Sequence, residues 1–142
     1  MILFKNGLII LDYNPADDIL SVELPDIQKL TLPEVRRSFQ IIGENLRNYD
    51  VKYLLIDSSK AVVDIEDIDY KAVIMQFGSD LLRTRLQKLA RVGGTIPKQE
   101  KRAQSVATET IQALDLPFKF ANFENRESAI KWLLGKEQLA YY

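Results

Sequence analysis

The segment Lys-Tyr-Leu-Leu-Ile-Asp-Ser-Ser, residues 52–59, places an unbroken apolar run between polar residues. A run of this length is typical of a strand that is buried on both faces between layers of helices. We therefore expect Tyr53–Ile56 to form a central strand of a mostly parallel sheet.

A helix is predicted on the N-terminal side of this strand. Thr31 and Glu34 have the spacing of a capping box, in which each side chain can satisfy a backbone N–H at the helix start. Apolar residues then recur at steps of three and four, which aligns them on one side of a helix. They are Leu32, Val35, Phe39, Ile42, Leu46 and Tyr49.

The first 24 residues have the pattern of a β-meander. Two apolar runs flank Asn6-Gly7, a dipeptide that favours a tight hairpin turn with positive φ at both central residues. Asn14–Asp18 predicts a second turn, because Pro15 presets φ and the Asn and Asp side chains bond locally to backbone. Ile19–Leu24 then alternates apolar and polar residues, as in a strand covered on one face.

The rest of the chain alternates helices and strands. The patterns predict a helix near 67–82, a strand near 89–92, a helix ending near Leu114, a strand near 118–121 and a helix from Asn125 to Gly135. We predict one α/β sandwich over residues 1–135, followed by a tail over 136–142. Its central sheet is mixed but mostly parallel, with about five to six strands and about four helices.

The amino-acid composition excludes several kinds of catalytic and metal site. The 142 residues are 46% apolar and contain no His and no Cys, which excludes a Ser-His-Asp triad, a Cys nucleophile and zinc sites built on imidazole or thiolate. We expect a non-enzymatic protein without cofactor or metal. The net charge of −1 does not favour nucleic-acid binding. We find no secretory signal and no apolar run long enough to cross a bilayer, so we expect a cytoplasmic protein.

The chain resembles the STAS-like domains, which have the anti-sigma-factor-antagonist (SpoIIAA-like) fold, and particularly their stand-alone bacterial branch of unknown role. The resemblance covers about residues 8–134. It rests on the opening meander, the capped helix, the segment 52–59 and the closing run Phe123–Leu134, with its Ala-x-x-Trp-Leu pattern. It implies a non-catalytic binding or regulatory domain.

The family's phosphorylatable serine is not matched here. In the antagonists it lies in an Asp-Ser-Ser/Thr-Gly motif at the start of the second helix, a position that falls here in Val63–Asp67, which has no hydroxyl. Asp57-Ser58-Ser59 comes earlier and is followed by Lys60 rather than Gly. Partner switching by phosphorylation is therefore not carried over to this chain.

Two loops are candidate ligand sites. Asp57, Ser58 and Ser59 follow a buried strand, where open α/β sheets place ligand-handling residues, although these side chains also suit a turn in which they satisfy backbone groups. A response-regulator receiver is contradicted by the opening strands. The segment from Gly93-Gly94 to Lys98 joins a strand to a helix. It could bind an anion, with help from Lys98, Lys101 or Arg102, or it could simply start the helix with Thr95 as its cap.

The helix near 67–82 has two apolar stripes. We assign the stripe of Ile68, Ala72, Met75 and Leu82 to the core. The other stripe is either additional core or a partner surface. It consists of Tyr70, Ile74, Phe77 and Leu81.

Charge is also distributed unevenly. Residues 57–80 carry a net charge of −4 and residues 81–102 a net charge of +6. These runs could steer a partner or pair two copies, or they could be solvated faces.

Two functions from different classes follow. The first is a domain that works by contact with protein, including a homodimer through the stripe that contains Phe77. The second is a small-molecule carrier, with an apolar or anionic ligand beneath the loop after Asp57 or beside Gly93. An enzyme that uses only Asp, Glu and Lys ranks third.

Overall fold

A computed structural model of the chain describes residues 1–24, 26 and 28–136. The elements in this part follow the predicted order. The strands are β1 Ile2–Lys5, β2 Ile10–Asn14, β3 Ile19–Glu23, β4 Gln28–Leu30, β5 Tyr53–Asp57, β6 Ala61–Val63, β7 Lys88–Val92 and β8 Lys119–Phe123. The helices are α1 Leu32–Tyr49, α2 Asp67–Leu81, α3 Pro97–Leu114 and α4 Arg126–Leu133. The predicted tail lies outside the described residues except for Lys136.

Six strands form the main sheet in the order β1-β2-β3-β5-β7-β8. β1, β2 and β3 pair antiparallel, whereas β3, β5, β7 and β8 pair parallel. The predicted mixed, mostly parallel sheet is confirmed. β5 lies inside it with a parallel neighbour on each side, as predicted for Tyr53–Ile56.

Helices cover the sheet on both faces. Successive residues of a strand point to opposite faces, and both Leu54 and Leu55 are completely buried. Leu54 belongs to the large core that includes residues of α1 and α2, with α3 packed against α2. Leu55 belongs to a smaller core with Ala129 and Leu133 of α4. The large core is therefore the layer beneath the three long helices.

Two short strands had no signal in the sequence. β4 and β6 pair in parallel as a separate two-stranded sheet. Each has only three residues, so neither shows enough alternation to be distinguished from a loop.

The turn at Asn6-Gly7 has the predicted place but not the predicted geometry. Gly135 is the only glycine in the described residues with a positive φ, and Asn6 does not have one either. Instead, the Asn6 side chain accepts hydrogen bonds from the N–H groups of Leu8 and Ile9 at 2.8 and 2.9 Å. Asn6 is thus the first residue of an Asx-type turn rather than one of its centres.

The capping box of α1 is confirmed. The Thr31 N–H donates to Glu34 Oε1 at 2.9 Å. This backbone hydrogen bond, followed by one from the Thr31 hydroxyl, lowers the pKa of the Glu34 carboxyl. The stripe predicted for α1 faces inward from Leu32 to Leu46, and Tyr49 at its end is exposed.

The core assignment of the first stripe of α2 is wrong at both of its ends. Ile68 and Leu82, which we placed in the core, are 74% and 47% exposed. Phe77 and Leu81 of the other stripe are buried at 6% and 3%, which agrees with additional core, one of the two alternatives for that stripe. α2 lies between α1 and α3, so the packing of its neighbours fixes its rotation. A helix with two apolar stripes does not specify that rotation by itself.

Candidate functional site

The loop after β5 binds mainly to itself and to β7. The Ser59 N–H and hydroxyl donate to Asp57 Oδ1 at 3.1 and 2.6 Å. The Ser58 N–H and hydroxyl both donate to the Val92 carbonyl at 2.9 Å. Asp57, Ser58 and Ser59 therefore satisfy groups in a turn, which was one of the two interpretations of this motif.

The second carboxylate oxygen of Asp57 faces a cation that the sequence analysis missed. Arg126, the first residue of α4, places Nη1 3.6 Å from Asp57 Oδ2 and 3.5 Å from Glu23 Oε2. Glu23 and Asp57 are register partners at the ends of β3 and β5. The carboxyl ends of parallel strands lie at the same edge of a sheet, so Glu23 and Asp57 were expected to be near each other. A basic residue at the start of the last helix was the sequence signal that could have predicted their partner.

The Gly93-Gly94 junction is occupied by a carboxylate of the chain itself. Glu100 of α3 receives two hydrogen bonds from the Arg91 guanidinium, at 2.8 and 2.9 Å, and a further one from the Gly94 N–H. These contacts, the Arg91 hydrogen bonds first, lower the pKa of Glu100 against the opposing effect of burial. A Cβ at Gly93 would overlap Glu100 Oε1. The N–H that we proposed for an external anion is thus already used.

The basic residues that we expected to assist anion binding, Lys98, Lys101 and Arg102, lie elsewhere. Lys98 and Lys101 are exposed. Arg102 donates to the carbonyls of Ile65 and Val63 at 2.7 and 2.8 Å, so it ties α3 to the loop before α2.

The predicted cap at Thr95 is wrong. α3 begins at Pro97 with Ile96 as its N-cap and without a side-chain cap bond. Proline disfavours the helical conformation in the residue before it, so the helix cannot start earlier.

Much of the basic run 81–102 serves contacts within the chain. Arg91 pairs with Glu100 and Arg102 with Asp67 of the acidic run. Lys88 donates to the Trp132 carbonyl near the end of α4 at 2.9 Å and lies 5.1 Å from the centre of the Trp132 ring. A cation there also offsets the negative end of the helix dipole. Of these contacts, the Arg102–Asp67 ion pair joins the basic run to the acidic run.

An apolar cavity lies in the large core. It has a volume of about 160 Å³, is partly open, and is lined by residues of the sheet and of α1, α2 and α3. All four residues of the stripe that we considered as an interface line it, namely Tyr70, Ile74, Phe77 and Leu81. The interface hypothesis needed these side chains on an exposed flank. In the structure they line the cavity instead, where Phe77 and Leu81 are buried and Tyr70 and Ile74 half-buried.

Two aromatic side chains line both this cavity and a second concavity. Phe39 of α1 and Phe77 of α2 lie with ring centres 4.7 Å apart. Both line the cavity, and both also line a groove on the outer side of α1 and α2.

Neither a metal site nor a membrane-spanning helix is seen in the described part of the chain. Its acidic residues do not form a group of three or more that could hold a metal ion. Its helices include none that is long and apolar enough to cross a bilayer.

Comparison with known proteins gives one structural match to report. No family model matches the chain, and no curated protein matches its sequence. The match is to an uncharacterized protein of the DUF3478 family from Shewanella loihica PV-4, which is described as having a SpoIIAA-like fold. The two chains share 18% identity with a TM-score of 0.52, and the alignment covers 92% of this chain and 98% of the other. At this identity the match shows the fold alone. The chain is therefore an α/β domain with the SpoIIAA-like fold that its sequence resembles.

Proposed function

We propose that this chain is a non-catalytic, cytoplasmic binding domain that holds a small apolar molecule in the cavity beneath α1, α2 and α3. The cavity itself carries the proposal. Its volume of about 160 Å³ is close to that of an engineered apolar cavity of roughly 150 Å³ that stays dry and binds benzene. The space fits an occupant of about that size.

An unfilled apolar space leaves the side chains that line it without packing partners on one side. A bound apolar molecule would supply these contacts, which supports a binding role for the cavity.

The contact function that we ranked first has less support. Phe77 and Leu81 are buried, so the stripe that contains them offers no flank to a partner. The exposed apolar residues Ile68 and Leu82 lie near opposite ends of α2, about 21 Å apart at 1.5 Å per residue. They do not form one patch. The loop after β5 and the Gly93-Gly94 junction, our other ligand sites, are filled by contacts within the chain.

Cavity filling tests the proposal. Ala103 of α3 is buried and lines the cavity, whereas Ala113 on the same helix is exposed and does not. With toluene at ten times its dissociation constant, we expect the wild-type protein to gain about 1.4 kcal/mol in unfolding free energy. Ala113→Leu should respond equally. Ala103→Leu should not respond, because the added side chain occupies the site.

Thermal unfolding and two-dimensional NMR titration measure this response. Native mass spectrometry of freshly purified protein adds a search for a co-purifying mass. Binding of toluene by Ala103→Leu as tightly as by the wild-type protein, or no response in any variant, would contradict a cavity site.

A further inference from the structure

We propose that the groove on the outer side of α1 and α2 binds an extended acidic segment of a partner protein. This surface differs from the stripe of α2 that we first considered as an interface, and the inference does not depend on the occupant of the cavity. It follows from the arginines that have no acidic partner within the described part of the chain.

The arginines of the chain fall into two groups. Four of the eight pair with carboxylates of the chain itself. The side chains of the other four make no ion pair and no hydrogen bond with a described residue. These four are Arg36, Arg37, Arg47 and Arg83. All of them except Arg37 line the groove, so three guanidinium groups on one surface are available to carboxylates of a partner.

The groove has the form of a surface site for a polypeptide. Its volume is about 690 Å³, and it is partly open. Most of the side chains that line it are exposed, whereas Gly43, Val73 and Phe77 are buried. Sites for small molecules usually bury most of the ligand surface, and arginine clusters on open surfaces are a common means of recognising acidic peptide motifs. The shape therefore favours a segment of a protein over a small molecule.

The three arginines lie toward the two ends of the groove. α1 and α2 run in the same direction, because each connects neighbouring parallel strands. A Cβ at Gly43 would meet Asp80 Cβ at 3.8 Å, so the two helices are level at these residues. Arg47 and Arg83 each follow this level by about one turn, whereas Arg36 precedes it by about two turns. One end of the groove thus has two arginines and the other end has one.

The distance between these ends suits an extended chain. Arg36 and Arg47 are separated by about 17 Å along the axis of α1, at 1.5 Å per residue. An extended peptide covers about 13 to 20 Å in four to six residues, and residues four or six positions apart point to the same side. Acidic residues with this spacing can reach both ends of the groove at once.

Two acidic residues lie between the basic ends. Glu44 and Asp80 also line the groove, and Asp80 accepts a hydrogen bond from the Gln76 amide at 3.0 Å. Three guanidinium groups and two carboxylates leave a net positive charge. The two carboxylates disfavour an acidic residue in the middle of the partner segment, so we expect an uncharged middle. They also disfavour a nucleic acid, whose phosphates carry a charge at every nucleotide.

A peptide with two glutamates at each end tests the inference. The probe is acetyl-Glu-Glu-Ala-Leu-Ala-Glu-Glu-amide, and its control has glutamine in place of every glutamate. NMR titration of the wild-type protein gives both dissociation constants and identifies the amides that shift. We expect the glutamate peptide to shift amides of α1 and α2 and to bind about tenfold more tightly than the glutamine peptide at low salt.

Arg37 provides the matched control variant. It is exposed and unpaired within the described residues, like the other three arginines, but it does not line the groove. Arg36→Gln and Arg47→Gln should each weaken binding of the glutamate peptide about fivefold, the upper range for one exposed ion pair. Arg37→Gln should leave the dissociation constant unchanged within about twofold, because its charge lies outside the groove.

Several results would overturn the inference. Equal binding of the two peptides, or binding of neither, would contradict an acidic partner. If Arg37→Gln weakens binding as much as Arg47→Gln, the attraction is general and the groove is not the site. An oligothymidylate that shifts the same amides and binds more tightly than the glutamate peptide would assign the groove to nucleic acid instead. The amide shifts of the wild-type protein test the location even if a variant fails to fold.

Discussion

Replacing Arg91 with methionine is expected to lower the free energy of unfolding by about 3 kcal/mol, as measured by urea denaturation at pH 7. The side chains of Arg91 and Glu100 are only 13% and 18% exposed, and the guanidinium meets both carboxylate oxygens. Removing one partner of a buried pair costs about 3 to 5 kcal/mol, because the other charge stays behind without compensation. In the Arg91→Met variant the Gly94 N–H would still contact Glu100, so we expect a loss at the lower end of this range.

An exposed pair provides the matched control. Arg85 lies 3.2 Å from Asp50, but their side chains are 80% and 59% exposed. Arg85→Met should cost at most about 1 kcal/mol, since solvent screens such pairs. If Arg85→Met and Arg91→Met lose equal stability, the Arg91–Glu100 contact is not a buried structural pair. The double variant Arg91→Met with Glu100→Leu should recover much of the loss, because it leaves no unpaired charge.

The contribution of the Arg91–Glu100 pair to the free energy of unfolding should depend on pH in a defined direction. The pKa of Glu100 is lower in the folded protein than its ordinary value of 4.5. A carboxyl of this kind stabilises the fold above its unfolded pKa, and the contribution is lost as pH falls through the folded pKa. The stability difference between the wild-type protein and Arg91→Met should therefore shrink when urea denaturation is repeated below pH 4.5. A difference that does not shrink as the pH is lowered below 4.5 would contradict the assigned role of Glu100.

Gly78→Ala is expected to destabilise the protein by about 1 to 2 kcal/mol, although alanine favours helices. A Cβ at Gly78 would lie 2.7 Å from Thr110 Cγ2 and 3.1 Å from Leu114 Cδ1, so α2 and α3 could not keep their present spacing. Overpacking of this kind typically costs 1 to 3 kcal/mol, which outweighs the helix preference of up to about 1 kcal/mol. Urea denaturation measures the change.

Gly43→Ala is the control for helix preference. Gly43 is also buried in a helix, but a Cβ there would meet only Asp80 Cβ at an ordinary 3.8 Å. We expect Gly43→Ala to be neutral or to gain up to about 1 kcal/mol. A Gly78→Ala variant as stable as Gly43→Ala would show that α3 does not need the glycine in order to approach α2.

The sheet and helix order could be predicted because each signal is local. The apolar run Tyr53–Ile56, the capping box at Thr31 and the stripe of α1 depend only on neighbouring residues. The three-residue strands β4 and β6 lack such a signal, since each needs the other to form. The cap at Thr95 was predicted wrongly because the effect of Pro97 on the preceding residue was not applied.

The site residues were harder to predict because no local pattern marks their partners. Glu100 is nine residues from Arg91 and six from Gly94, but the turn from β7 into α3 decides that it fills the loop that we had assigned to an external anion. Arg126 meets Asp57 across 69 positions of sequence. Pairing of this kind is set by the fold and leaves no periodic pattern in the chain.

Local periodicity and turn chemistry were sufficient to specify one α/β sandwich with β5 inside its sheet, and the resemblance to a known family added the SpoIIAA-like fold. They could not specify how α2 is rotated, because a helix with apolar residues on two sides is compatible with either side facing inward. Packing against α1 and α3 selects the side of Tyr70, Ile74, Phe77 and Leu81. That selection lines a partly open apolar cavity where the sequence allowed an external surface, because only the assembled layers bring these helices together over the sheet.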